Sequence, residues 1–126
     1  MLDSFTCPEL CHLAFAYNDK RILNKDMARL IEDRVLITLR NTNEISVEDI
    51  ALIVRVFCKT RTATRDFHKL LETTVLNRLD DIRKNKKLFY EIGRSFEESG
   101  LCSIDTIRIL KKEYFHHEVE EDVFGV

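Results

Sequence analysis

Proline occurs once in this sequence, at position 8, and glycine only three times. So few chain breakers leave long uninterrupted stretches and favour helices. No apolar run approaches the roughly 20 residues that a membrane-crossing helix needs, so no span is expected. Cations are not in excess: 20 Lys and Arg stand against 22 Asp and Glu, a formal charge of −2. No global basic field therefore advertises nucleic acid. A glycine-rich phosphate loop, a nucleophile elbow and a His-Glu-x-x-His pair are all missing. No catalytic residue, cofactor or small-molecule substrate is assigned on that basis, and the chain is read as a non-enzyme. The four cysteines, Cys7, Cys11, Cys58 and Cys102, do not suggest a secreted disulfide framework and are read as reduced thiols of an intracellular protein. The first residues carry an acid and no arginine, unlike a secretory or mitochondrial presequence.

What the chain does have is an internal repeat. In the stretch 46–77, Ser46 precedes Ile50, Ile53 and Phe57, and Thr64 precedes Asp66, Leu70, Leu71, Val75 and Leu76. Forty residues earlier stand Thr6, Leu10, Leu13 and Tyr17, then Asn24, Asp26, Leu30, Ile31, Val35 and Leu36. Thirty-nine residues later stand Asn85, Phe89, Ile92 and Phe96, then Ser103, Asp105, Ile109, Leu110 and Tyr114. Self-similarity at this period is the signature of stacked helical units.

Each half-repeat reads as one helix. Thr6 and Glu9 form a capping box, and Pro8 fits the first turn because its missing N–H has no helical partner anyway. Asn24, Ser46, Thr64, Asn85 and Ser103 are N-cap residues in the same two registers, each worth about 1 kcal/mol. Met27, Leu30, Ile31, Val35 and Leu39 are expected inward on the second helix. The third carries Val47 and then Ile50, Ala51, Leu52, Ile53, Val54, Val56 and Phe57, a run that Arg55 alone interrupts, and is read as apolar nearly all round, so it is expected to be buried on every side. The fourth turns Phe67, Leu70, Leu71, Val75, Leu76 and Leu79 inward. Asn41 to Asn43 and Lys84 to Lys87 read as the loops between repeats, and Gly100 as a C′ glycine. The expected fold is all-α: one domain, 1–117, an α-solenoid of three antiparallel helix pairs over about 6–40, 46–80 and 85–117. An acidic tail, 118–126, is expected to fray.

Several constellations could carry function. Cys7 and Cys11 share a helical face beside His12, but a zinc site needs four ligands, so both are read as apolar filling and no metal is assigned. His116 and His117 favour the dipole at a helix C-terminus. Arg29, Lys69 and Arg108 share one repeat register, each three residues after Asp26, Asp66 and Asp105, and are expected to pair along their helices. A stronger basic candidate surrounds the turn of the central pair: Arg55, Lys59, Arg61, Arg65 and Lys69, opposed only by Asp66. Lys20, Arg21 and Lys25 sit at the matching turn of the first pair. This edge suits a protein partner or RNA phosphates, with no interleaved aromatics to stack bases. Phe5 and Phe15 add apolar surface to the first pair and are expected to contact a protein partner.

From Thr6 to about Phe115, the period and apolar spacing resemble the octotricopeptide and heptatricopeptide repeat class, which includes the helical repeats of FAST-kinase-like and RAP-domain proteins. HEAT and armadillo repeats are similar. The resemblance implies mitochondrial or plastid RNA metabolism, or a place in an organellar ribosome or other large assembly. The expected role is a scaffold subunit of an organellar ribonucleoprotein complex, mitochondrial or otherwise cytoplasmic, whose partners are protein subunits. The alternative is a single-stranded RNA-binding repeat protein.

Overall fold

A computed structural model describes residues 5–40 and 45–112. The described chain is helical, without strands: α1 (Cys7–Asp19), α2 (Lys25–Arg40), α3 (Val47–Thr60), α4 (Arg65–Asn77), α5 (Leu79–Arg83), α6 (Lys86–Ser99) and α7, residues 104–112. Every expected cap is made. The Thr6 box closes in both directions, with the Thr6 N–H donating to Glu9 Oε1 at 2.9 Å and the Glu9 N–H donating to Thr6 Oγ1 at 3.3 Å. Asn24, Ser46, Thr64, Asn85 and Ser103 accept from the backbone N–H three residues on. Each cap satisfies a donor that the first helical turn would otherwise leave without a partner.

The core runs through α3. Ile50, Ile53, Val54, Val56 and Phe57 are at most 1 % exposed, because α3 packs against both α1 and α6. The expectation that α3 is buried on every side is corrected: its apolar positions face α1 and α6, while Glu48, Arg55 and Lys59 on the same helix are exposed. In the second layer α2 packs against α1 and α4. Phe57 of α3 and Phe67 of α4 join the layers with ring centroids 4.6 Å apart, in a tilted arrangement aromatic pairs favour. Leu110 of α7 lies against α6, where a Cβ on Gly93 would meet it at 3.9 Å. The Glu97–Lys111 ion pair closes the same junction at 2.8 Å.

Some expectations are corrected. Leu79 does not continue the fourth helix: α4 ends at Asn77, and residues 79–83 form the separate short helix α5. Leu79 and Ile82 are buried there, α5 packs against α4 and α6, and Arg78–Asp81 and Arg83–Asp80 pairs at 2.9 Å brace it. Leu30 is 54 % exposed rather than inward, and Ile37 on the same helix is 51 % exposed. The inward positions of α2 are Ala28, Ile31, Glu32, Val35 and Leu39. Among the described residues the expected Asp26–Arg29, Asp66–Lys69 and Asp105–Arg108 pairs do not close. Arg29 instead lies 3.7 Å from Glu32. The loop 41–43, Tyr114, His116, His117 and the tail 118–126 lie outside the described residues.

Candidate interaction surfaces

Three of the turns between helices hold a residue with left-handed backbone: Arg21 just past the Lys20 cap of α1 at φ 60°, Arg61 capping α3 at φ 55° and Gly100 capping α6 at φ 66°. These positions are 40 and 39 residues apart. Glycine adopts this conformation freely, whereas an L side chain there costs about 1 kcal/mol. Lys20, Arg21, Lys25, Arg55, Lys59, Arg61, Arg65 and Lys69 are all exposed. The turns of the first two pairs therefore carry a cationic edge, and that of the third does not. Lys59 Nζ stands 4.7 Å above the Phe15 ring, a cation–π contact between α3 and α1. Phe15 is half-buried and packs against the core, so it is not the free contact surface expected of it. Phe5 remains 37 % exposed.

Below the turns, Glu32 ties α2 to α4 in a buried site and Glu72 ties α4 to α7 in a more exposed one. Glu32 of α2 is 1 % exposed. Its Oε1 accepts from the Thr64 backbone N–H at 2.8 Å and from Thr64 Oγ1–H at 2.5 Å. Glu72 of α4 repeats the contact one unit on, accepting from the Ser103 N–H at 3.4 Å, from Ser103 Oγ at 2.5 Å and from the Thr106 hydroxyl. Each carboxylate meets the next second helix at its N-terminus, where hydrogen bonds and the helix dipole both favour negative charge. Burial pushes the Glu72 carboxyl up, but the Ser103 and Thr106 hydrogen bonds prevail and hold it below the usual range. The sequence reading missed this pair of contacts. The signal was present, since Arg29-Leu-Ile-Glu32 and Lys69-Leu-Leu-Glu72 share one register.

A cleft of about 590 Å³ opens between α4 and the turn into α7, lined by Arg65, His68, Lys69, Glu72, Cys102 and Ser103 among others. His68 is 6 % exposed, and among the described residues neither ring nitrogen has a hydrogen-bond partner. Burial lowers its pKa despite the nearby Glu32 carboxylate, so the ring is neutral at neutral pH. Burial pushes the Cys102 thiol up to about 12. Contact with Cys11 draws the Cys7 thiol down, while the same contact and burial push Cys11 up. All four cysteines are free. Among the described residues no group of three or more His, Cys, Asp or Glu side chains gathers to hold a metal ion, and no helix is long and apolar enough to cross a membrane.

The chain matches no family profile, no curated protein and no solved structure. Its function has to be argued from its surfaces. These are the cationic turn edge, the mixed-charge cleft beneath it and the exposed apolar residues of the first pair.

Proposed function

We propose that this chain is a non-enzymatic interaction module: a stack of three helix-pair repeats serving as a scaffold subunit in a larger ribonucleoprotein assembly. The repeat period and the recurring carboxylate-to-cap contacts support the stacked architecture. The setting in an organelle, the mitochondrion first, rests on the resemblance of the repeat pattern to organellar helical-repeat proteins. The observation that carries the reading is the turn edge. Arg21 and Arg61 hold left-handed backbone in the register where the third pair has glycine. Strain retained at an exposed position points to a role for the side chain, and here that role is charge presented to a partner.

An acidic protein surface fits this edge better than RNA. The chain as a whole is slightly acidic, and the Phe15 ring face is taken by Lys59, which leaves no stacking platform beside the cations. The second reading, single-stranded RNA, is favoured by the exposure of all eight cations. The two readings separate experimentally. Chemical crosslinking of the native protein, followed by mass spectrometry, is expected to join Lys20, Lys25, Lys59 or Lys69 to protein neighbours. Titration with short RNAs at physiological salt is expected to give non-specific affinities on the order of 10⁻⁴ to 10⁻⁶ M, abolished when Lys59, Arg61 and Arg65 are all changed to Glu. Nanomolar binding of one RNA, with others at least about a hundredfold weaker, would replace the scaffold reading with the RNA one.

A further inference from the structure

Among the described residues, the outer faces of α2 and α7 differ in chemistry. A cleft between α2 and α4 is lined on the α4 side by Thr64, Asp66, Phe67 and Leu70. One repeat earlier, the same register on α2 holds Asn24, Asp26, Met27 and Leu30. Here it faces no preceding second helix. Leu30 is 54 % exposed, Asn24 and Asp26 are exposed and Met27 is half-buried. The side that α2 offers to α4 has a definite chemistry: Arg29 and Leu36 line the cleft with Asp66 and Leu70, and Glu32 reaches the Thr64 cap. Lys69, Glu72 and Leu76 repeat that spacing on α4, where Glu72 reaches the Ser103 cap. On α7 the glutamate register is occupied by Lys111, whose ammonium pairs with Glu97 inside its own helix pair. Among the described residues, α7 therefore has no carboxylate in that register.

We propose that the bare face Asn24–Asp26–Met27–Leu30 docks a helix of a partner protein that carries basic-x-x-Glu-x-x-x-Leu. The partner's glutamate accepts from the Asn24 cap, its basic residue meets Asp26, and its leucine covers Leu30. A second copy does not supply this helix, because its own third pair presents Lys111. The proposal rests on the stacked-module reading and names the partner class for one surface of it.

The test uses the full chain and a defined probe: a hydrocarbon-stapled peptide of residues 65–80, which contains Lys69, Glu72 and Leu76. Stapling offsets the marginal stability of so short a free helix. Methyl NMR is expected to show saturable shifts at Leu23, Met27 and Leu30. A peptide with Glu72→Lys, which reproduces the Lys111 chemistry, is expected to bind about tenfold more weakly or worse. The chain variant Leu30→Glu is expected to lose binding while melting as wild type does. Three outcomes overturn the proposal: no shifts at these methyls, shifts confined to α4 and α7, or equal binding of the Glu72→Lys peptide. A failure here leaves the crosslinks at the cationic edge untouched, so it does not by itself remove the scaffold reading.

Discussion

His68 concentrates the cost of burying a polar residue. Its ring is edge-on to Phe67 at 5.9 Å, with Glu32 and Arg61 as the nearby charges and, among the described residues, no hydrogen-bond partner at either nitrogen. Its folded pKa lies below the ordinary value of about 6.5. Below about pH 6.5 the unfolded chain takes up a proton that the folded imidazole refuses until lower pH. The stability that goes with the neutral ring is thus complete above about 6.5 and is lost as pH falls toward the folded value. Urea midpoints measured between pH 7.5 and 5 are expected to fall for the wild type and to flatten for His68→Leu. A variant as pH-sensitive as the wild type would place the titrating group elsewhere.

At the scale of elements, the caps mark where helices begin, and Glu32 and Glu72 tie α2 to α4 and α4 to α7. Glu32→Ala removes the acceptor for both the Thr64 N–H and its hydroxyl in a buried site, and is expected to cost about 2–3 kcal/mol. Glu32→Gln keeps an acceptor oxygen and is expected to cost less; urea unfolding at pH 7 checks both. Glu72, less buried, adds a pH signature. Its depressed pKa contributes stability that is present above about pH 4.3 and lost as pH falls through the lower folded value, so Glu72→Gln is expected to blunt acid unfolding. The caps were legible in the sequence because a cap is local: one side chain and the N–H three residues on. Helix α5 was not, because it has no side-chain cap and forms where Leu79 and Ile82 find α4 and α6 to pack against. Nor was the loss of the Asp26–Arg29 pair, since exposed ion pairs are worth little and yield to any better arrangement.

For the whole molecule, the repeat made the all-helical class legible, and the turn cations could be assigned to the surface because charge is costly to bury. Periodicity could not say which faces of a helix have a neighbour, so Leu30 was read as inward although it is 54 % exposed. It could not say that Arg21 and Arg61 hold left-handed backbone, because that is set by the turn each must close. The centre was legible for a different reason: the dense run of Ile, Val and Phe on α3 needs apolar neighbours on two sides, and α1 and α6 supply them. Because α3 touches both α1 and α6, damage to it should not stay local. Ile53 is 0 % exposed, so Ile53→Asp forces an unpaired carboxylate into that junction at an expected cost of at least about 4 kcal/mol. Total stability for a domain of this size is about 5–15 kcal/mol, so such a loss approaches global unfolding at 37 °C. Thermal melting followed by circular dichroism is expected to show one cooperative transition in the wild type, strongly lowered or absent in Ile53→Asp. Leu30→Glu, on the bare face, is expected to change stability by less than about 0.5 kcal/mol. Two separate transitions in the wild type, with only one moved by Ile53→Asp, would mean that the helix pairs fold independently and that α3 does not couple them.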